Sequence, residues 1–215
     1  MMAKLRKVFV FINTIRYLKV RQIAYRIFYS IRNYFRLSSE IYNASFTGKI
    51  NYFRWQAECT NSQSLFSNHV CFLNERLNIV EGEIFWSSVG FSKLFNYNLH
   101  YLDDLNSEKC EQRVELQYYF VKRWIAENKL AVGSGWEAYP LSLRLVNLIK
   151  WYGRSDIHDP SIISSIAMQA NVLSKKLEFH IGGNHLFANA KALIFAGCFL
   201  EGQEGVKHLK VGLDI

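Results

Sequence analysis

Residues 139–152 read YPLSLRLVNLIKWY, and this stretch decides the fold class. Pro140 stands where the first turn of a helix tolerates proline, and Gly153 follows the last apolar residues, as at many helix ends. Asp159 and Pro160 then form a cap and first-turn pair, which is typical of a helix start. The sequence therefore predicts one helix over 139–152 and a second that begins at Asp159 and runs to about residue 179.

Helical structure is predicted over most of the remaining C-terminal half as well. Apolar spacing indicates helices over 95–105, over 107–128 with Ser107 as its N-cap, and over about 184–200 with a stop near Gly202. Glycines at 133, 135, 182 and 183 separate them. The 215 residues contain only 2 prolines and 12 glycines, which disfavours an all-β chain with its many turns. We expect a mainly α protein of antiparallel helical hairpins.

Composition bounds the class and size of the protein. Half of the residues are hydrophobic, 15% are aromatic and only 20% are charged, which excludes a mainly disordered chain. The length fits one domain or part of a larger one. We divide the chain into a basic amphipathic helical segment (1–37), a connector with short irregular or strand elements (38–94), and the helical region (95–215).

The net charge of +8 is concentrated at the N-terminal end. No acidic residue precedes Glu40, and the rest of the chain is close to neutral. The basic residues of this segment are Lys4, Arg6, Lys7, Arg16, Lys19, Arg21, Arg26, Arg32 and Arg36. An apolar and aromatic face recurs among them at helical spacing, formed by Ile15, Leu18, Gln22, Tyr25, Phe28 and Tyr29.

Three interpretations of this basic segment stay open. It is a helix packed on its own domain, a helix that contacts an anionic membrane surface through residues 4–36, or a nucleic-acid contact. Nothing later in the chain supports a nucleic-acid module, so we expect no nucleic-acid partner. The apolar stretch 8–12 is short and has no cleavage site after it, so no secretory signal is predicted. The default expectation is a cytoplasmic protein, or a periplasmic one if it is exported.

Cysteines and histidines show no metal-binding pattern. The 4 cysteines include no CxxC pair, and the 6 histidines include neither HxxxH nor HExxH. We therefore expect free thiols, no metal and no cofactor. Glycine-rich phosphate loops and a GxSxG motif are absent too.

Two polar clusters stand out against apolar surroundings. The first comprises Trp136, Tyr139, Arg144 and Asn147, of which the last two share a helix face. Aromatic rings stack on sugar rings, and Arg and Asn bind hydroxyl and carboxylate groups, so this cluster is a candidate carbohydrate site. The alternative is structural: Trp136 belongs to the core, and Arg144 ties a neighbouring loop or helix end.

The second cluster surrounds a diglycine at a predicted helix start. His180 and His185 flank Gly182-Gly183, Asn184 stands at the cap position, and Asn189 follows a turn later. A helix N-terminus with Asn and His side chains favours anions. The alternative is ordinary capping together with a satisfied core histidine.

These two clusters together resemble the heparinase II/III family of bacterial polysaccharide lyases. The first match is the run from Trp136 through Asn147 to Trp151. The second is Leu177-Glu178-x-His180-x-x-Gly183-Asn184-His185-Leu186-x-x-Asn189-x-x-Ala192-Leu193-x-x-Ala196-Gly197. The aromatic run 95–102 (FNYNLHYL) and the basic opening from Arg16 also resemble family members, so the similarity extends from about Arg16 to Ile215.

The resemblance implies an incomplete (α/α) toroid and β-elimination at a uronic acid in an acidic polysaccharide. It assigns to Asn184 the neutralisation of the substrate carboxylate and to His185 a place at the catalytic centre. Trp136, Tyr139, Arg144, Asn147, His180 and Asn189 are the implied substrate-binding residues. A downstream Tyr and a His in a following β-sandwich domain are implied as acid and base.

The sequence departs from the family after these motifs. None of its 12 tyrosines matches the family's catalytic Tyr, and the 215 residues contain no stretch that resembles the family's sandwich domain. We expect a truncated lyase that is inactive alone and lacks a C-terminal domain or a partner chain. The alternative is a non-catalytic carbohydrate-binding or assembly protein of a surface-polysaccharide pathway, such as capsule or O-antigen synthesis.

Overall fold

The computed structural model describes residues 6, 9, 10, 13, 16–34, 48–51, 53–80, 82–86 and 90–215, without the side chains of 32–34. The described chain is mainly helical, as predicted. Its α-helices are α1 (Val20–Tyr34), α2 (Lys93–Tyr101), α3 (Val114–Glu127), α4 (Ala138–Tyr152), α5 (Pro160–Ser174), α6 (Gly183–Phe199) and α7 (Gly202–Leu213). Short 3-10 turns occupy Asp103–Asn106, Cys110–Arg113 and Ser134–Trp136. No helix among these residues is long and apolar enough to cross a membrane.

One small hairpin interrupts the helical pattern. Strands β1 (His69–Phe72) and β2 (Glu75–Asn78) pair antiparallel, with His69 opposite Asn78. Leu73 and Asn74 join them, and both have a positive φ, 55° and 62°. Two consecutive residues in the left-handed region fit the twist of a tight hairpin.

The described residues form two compact units. The smaller contains α1 together with Glu178–Leu186, and the larger contains Tyr42–Leu177 and Phe187–Ile215. α1 confirms the predicted helix for residues 20–34. Residues 1–5, 7, 8, 11, 12, 14, 15 and 35–37 of the segment predicted to be helical lie outside the described residues.

Helix α4 lies at the centre of the larger unit's core, where it packs against α2 and α5. The buried apolar side chains of α4 include Leu141, Leu145, Leu148, Ile149 and Trp151. Those of α5 include Ile162, Ile166, Ala167, Ala170 and Leu173. Burial of these side chains supplies the main favourable free energy for packing the helices together.

The carboxylate of Asp104 fastens the polar connector to this helical core. Asp104 Oδ1 accepts hydrogen bonds from the backbone N–H groups of Ser64 (2.8 Å) and Leu65 (2.9 Å). Arg113 Nη2 approaches Asp104 Oδ2 to 3.3 Å, and both side chains are largely buried. The network also corrects one expectation. Ser107 donates through Oγ to the Asp104 carbonyl and caps no helix, because α3 begins only at Val114.

The sequence does not predict helix α7, because Gly202 indicates the end of the preceding helix. Three glycines make α7 a poor helix by propensity alone. Two close contacts between α6 and α7 explain why this segment is nevertheless helical. A Cβ on Gly197 of α6 would lie 2.5 Å from the backbone nitrogen of Leu209, and one on Gly212 would lie 2.9 Å from the Ala190 carbonyl oxygen. The glycines therefore let α6 and α7 pack backbone to backbone, and that tertiary packing outweighs the weak propensity.

The start of α5 confirms the predicted cap. Asp159 Oδ1 accepts a hydrogen bond from the N–H of Ser161 (2.8 Å). Its Oδ2 binds Lys122 Nζ (2.8 Å) and the hydroxyl of Tyr118 (2.9 Å). Burial alone would raise the pKa of Asp159, but the hydrogen bonds from Lys122 and Ser161 hold it well below its ordinary value.

Replacing Asp159 with Ala should therefore destabilise the protein by about 2 kcal/mol, because a helix cap and a partly buried ion pair are lost together. Asp156→Ala is the matched control, since that side chain is 95% exposed and lies 4.0 Å from its Arg54 partner. The control should change stability by less than about 0.5 kcal/mol. The measurement is urea unfolding followed by circular dichroism. Equal losses in both variants would contradict the assignment.

Candidate functional site

The second polar cluster forms a sharp turn, the diglycine turn (Glu178–Leu186), in the smaller unit. The N–H groups of Ile181 and Gly182 both donate to the Glu178 carbonyl at 2.9 Å. Gly182 and Gly183 have φ values of 74° and 53°, a left-handed conformation that glycine adopts without strain. The chain reverses here and enters α6 at Gly183.

Helix α1 holds this turn in place. Gln22 Nε2 donates to the carbonyl oxygen of Ile181 at 2.5 Å, and Arg26 Nε donates to that of His180 at 3.4 Å. The Tyr25 ring stacks on Phe179 with 4.5 Å between ring centres. The Arg21 guanidinium carbon lies 4.5 Å from the same Phe179 ring centre. The turn is thus fixed by polar and aromatic contacts to one face of α1.

His180 lies half-buried in this unit. Its ring packs edge-on against Tyr29 at 5.1 Å. Burial lowers the pKa of His180, the positive charge of Arg26 lowers it further, and Glu178 opposes the shift. Among the described residues its buried Nδ1 has no hydrogen-bond partner. These effects together disfavour the charged form of the imidazole.

Asn184 and His185 are the first side chains of α6. Asn184 is exposed to solvent. His185 is partly exposed, and its Nδ1 lies 3.1 Å from Glu178 Oε1. The helix begins at Gly183, so the prediction that Asn184 is the cap is wrong, and Asn184 lies within the first turn. Backbone N–H groups of a first turn have no partner within the helix, so an exposed amide here adds to a local preference for anions.

The structure thus brings three predicted residues, His180, Asn184 and His185, together around the turn. Arg26 joins them, and sequence reasoning did not assign it to the site. The basic helix was visible in the sequence, but Arg26 lies 154 residues before His180. No local pattern links positions so far apart.

The predicted residues of the first cluster lie in the larger unit, and Arg144 is fully buried there. Arg144 Nε donates to Gln169 Oε1 (2.9 Å), and Nη1 donates to the carbonyl of His100 (3.1 Å). Its guanidinium carbon lies 3.7 Å from the ring centre of Trp124. Burial lowers the pKa of Arg144.

Trp136 and Tyr139 accompany Arg144. Trp136 is 4% exposed and packs against Trp124 with 5.6 Å between ring centres. Tyr139 is half-buried and meets Tyr101 edge-on at 6.1 Å. The buried positions of Trp136 and Arg144 are those that the structural interpretation of this cluster predicts.

The two predicted asparagines of the larger unit are bonded to their own protein. Asn147 Nδ2 donates to Asp103 Oδ1 (2.7 Å) and to the Tyr101 carbonyl (3.0 Å). Asn189 is buried, and its Nδ2 donates to Ser142 Oγ at 3.0 Å. Of the eight predicted site residues, Asn184 alone is exposed to solvent.

Within the described residues, no group of three His, Cys, Asp or Glu side chains is placed to hold a metal ion. The described cysteines are all free thiols.

Comparison of the chain with family models, with curated proteins and with solved structures finds no match.

The pKa of His100 depends on its burial and on the charge of the neighbouring Arg144, so it can be used to test this part of the core. Its Nδ1 accepts a hydrogen bond from Trp124 Nε1 at 3.1 Å. Burial, together with the positive charge of Arg144, lowers the pKa of His100 to about 3. The unfolded chain takes up this proton near pH 6.5. The contribution of neutral His100 to the free energy of unfolding is therefore fully present above pH 6.5 and is lost as the pH falls towards 3.

Between pH 7 and pH 4, His100→Gln should lose roughly 3 kcal/mol less stability than the wild type, because the variant has no buried imidazole to protonate. His158→Gln, at an exposed position, should retain the wild-type dependence. Urea unfolding at each pH measures the difference. A wild-type slope in His100→Gln would show that His100 is protonated in the folded protein.

Proposed function

We propose that this chain supplies the carboxylate-binding part of a heparinase II/III-like lyase site and binds a uronic-acid-containing polysaccharide at the diglycine turn. The observation that supports this proposal is the exposed amide of Asn184 in the first turn of α6. Arg26 and the imidazoles of His180 and His185 surround the same turn. A carboxylate there would meet hydrogen-bond donors and a positive charge, which together favour an anion.

The chemistry follows from binding the carboxylate. Hydrogen bonds that neutralise a uronate carboxylate lower the pKa of the neighbouring C5 proton and stabilise the enolate-like intermediate of β-elimination. Asn184 donates such a bond without adding a charge of its own. Burial lowers the pKa of His180, which disfavours a second positive charge beside Arg26 at the turn.

The side chains at the diglycine turn have no assigned role in proton transfer. The resemblance gives the roles of acid and base to a Tyr and a His, and none of the 12 tyrosines in this chain matches that Tyr. We therefore expect the 215-residue chain to bind its polysaccharide without cleaving it. We further propose that the helices of the larger unit are part of an (α/α) toroid, an arrangement consistent with the packing of consecutive helices α4 and α5.

A second candidate is a non-catalytic carbohydrate-binding or assembly protein of a surface-polysaccharide pathway. The same feature favours it, since the turn offers groups that bind an anion. The two candidates predict the same affinity, and they differ only in whether an unsaturated product forms when a proton-donating acid and a base are supplied.

Asn184→Ala should weaken binding of uronic-acid polysaccharides by roughly tenfold, because a hydrogen bond to a charged group is lost. Gln203→Ala is a matched control: Gln203 is also an exposed amide in the first turn of a helix that follows a glycine of positive φ. Calorimetric titration with a panel of acidic polysaccharides, and one neutral polysaccharide, measures the effect. Equal affinity of Asn184→Ala and the wild type would contradict the assigned role.

Turnover is tested by ultraviolet absorbance of the unsaturated uronate that β-elimination forms. The wild-type chain should give no increase on any polysaccharide that it binds. An increase that Asn184→Ala abolishes would show a complete site within the chain. Tyr29, which packs on His180, would then be the first candidate for the proton donor, and Tyr29→Phe would test it.

A further inference from the structure

Helix α1 exposes an apolar stripe on the side that points away from the diglycine turn. The exposed fractions are 83% for Val20, 56% for Ile27, 53% for Phe28 and 50% for Ile31. Ala24 is exposed between them. At 100° per residue these positions share one side of the helix. An exposed apolar stripe of this length is unusual on a soluble surface.

The opposite side of α1 carries the contacts to the diglycine turn. Gln22, Tyr25 and Tyr29 make those contacts, and they lie roughly half a turn around the helix from Val20, Ile27 and Ile31. The sequence pattern groups Gln22, Tyr25, Phe28 and Tyr29 on one face of the helix. In the structure Gln22, Tyr25 and Tyr29 pack on the diglycine turn, and the exposed stripe lies on the other side, with Phe28 at its edge.

Charge identifies the partner that fits the stripe. Arg16 and Lys19 are exposed just before α1 begins, and Arg21 is exposed in its first turn. No acidic residue precedes Glu40 in the sequence. Cations beside a continuous aliphatic stripe are typical of helices that lie in the interface of an anionic bilayer. Nucleic-acid surfaces bind cations but offer no apolar layer for aliphatic side chains.

We propose that α1 docks lengthwise on an anionic lipid surface. Val20, Ala24, Ile27, Phe28 and Ile31 enter the boundary between headgroups and acyl chains, and Arg16 and Lys19 contact the lipid phosphates. This proposal does not depend on the polysaccharide site, because it uses the face of α1 that points away from the diglycine turn.

The test is co-sedimentation of the 215-residue chain with vesicles of phosphatidylcholine alone and of equal parts phosphatidylcholine and phosphatidylserine. The chain should bind the anionic vesicles at low salt, bind them more weakly at high salt, and bind neutral vesicles least. The double variant Ile27→Ser with Ile31→Ser should bind at least about tenfold more weakly, because two aliphatic side chains no longer enter the bilayer.

The matched control is Val206→Ser with Leu213→Ser on α7, where both side chains are similarly exposed, at 69% and 68%. It should bind like the wild type. Arg16→Gln with Lys19→Gln leaves the stripe intact and should lower both the affinity for anionic vesicles and its salt dependence. Circular dichroism of each variant establishes that it is folded.

Four results would overturn the proposal. The first is a wild-type chain that does not sediment with anionic vesicles at low salt. The second is equal binding by the stripe variant and the wild type, and the third is an equal loss of binding in the stripe variant and the α7 control. The fourth is a wild-type dimer that the stripe variant converts to a monomer with unchanged vesicle binding. That result would assign the stripe to a second copy of the chain.

Discussion

The buried guanidinium of Arg144 is the constraint on which the packing of the larger unit depends. Within the described residues it donates hydrogen bonds to neutral acceptors, the Gln169 amide and the His100 carbonyl, and its guanidinium carbon lies 3.7 Å from the ring centre of Trp124. A buried cation that loses such contacts leaves an unpaired charge. α2, α3, α4 and α5 each supply one of these groups, so their mutual positions are fixed by the requirement to solvate one charge.

This constraint explains why the two polar clusters of the sequence differ in structure. Arg144 and Trp136 are residue types that bind sugars when exposed, but the same properties, a planar cation and a large ring, suit a buried stack. The diglycine turn carries smaller polar side chains, and its backbone has a conformation that only glycine adopts easily. Asn184 lies at the surface of this turn, whereas Arg144 and the residues around it are buried in the core.

Local signals predicted α4, α6 and the start of α5 closely, because Pro140, Gly153, Asp159 and the diglycine each act on the chain next to them. The end of α5 was predicted near residue 179, and the helix ends at Ser174. Tertiary effects were not predictable in the same way. α7 depends on close backbone packing through Gly197 and Gly212, which overrides propensity. The burial of Arg144 and the contact of Arg26 with the diglycine turn join residues far apart in sequence, and a single sequence holds no record of such pairs.

The two faces of α1 also make the two proposals physically compatible. A polyanionic sugar chain is repelled by an anionic bilayer, so a binding site for one is unfavourable close to the other unless the charges are screened. The diglycine turn, however, packs on the face of α1 opposite the apolar stripe, about one helix diameter, or roughly 10 Å, away. That distance is about the Debye length at physiological salt. The repulsion at Asn184 is therefore largely screened, and Arg26 next to the turn offsets what remains.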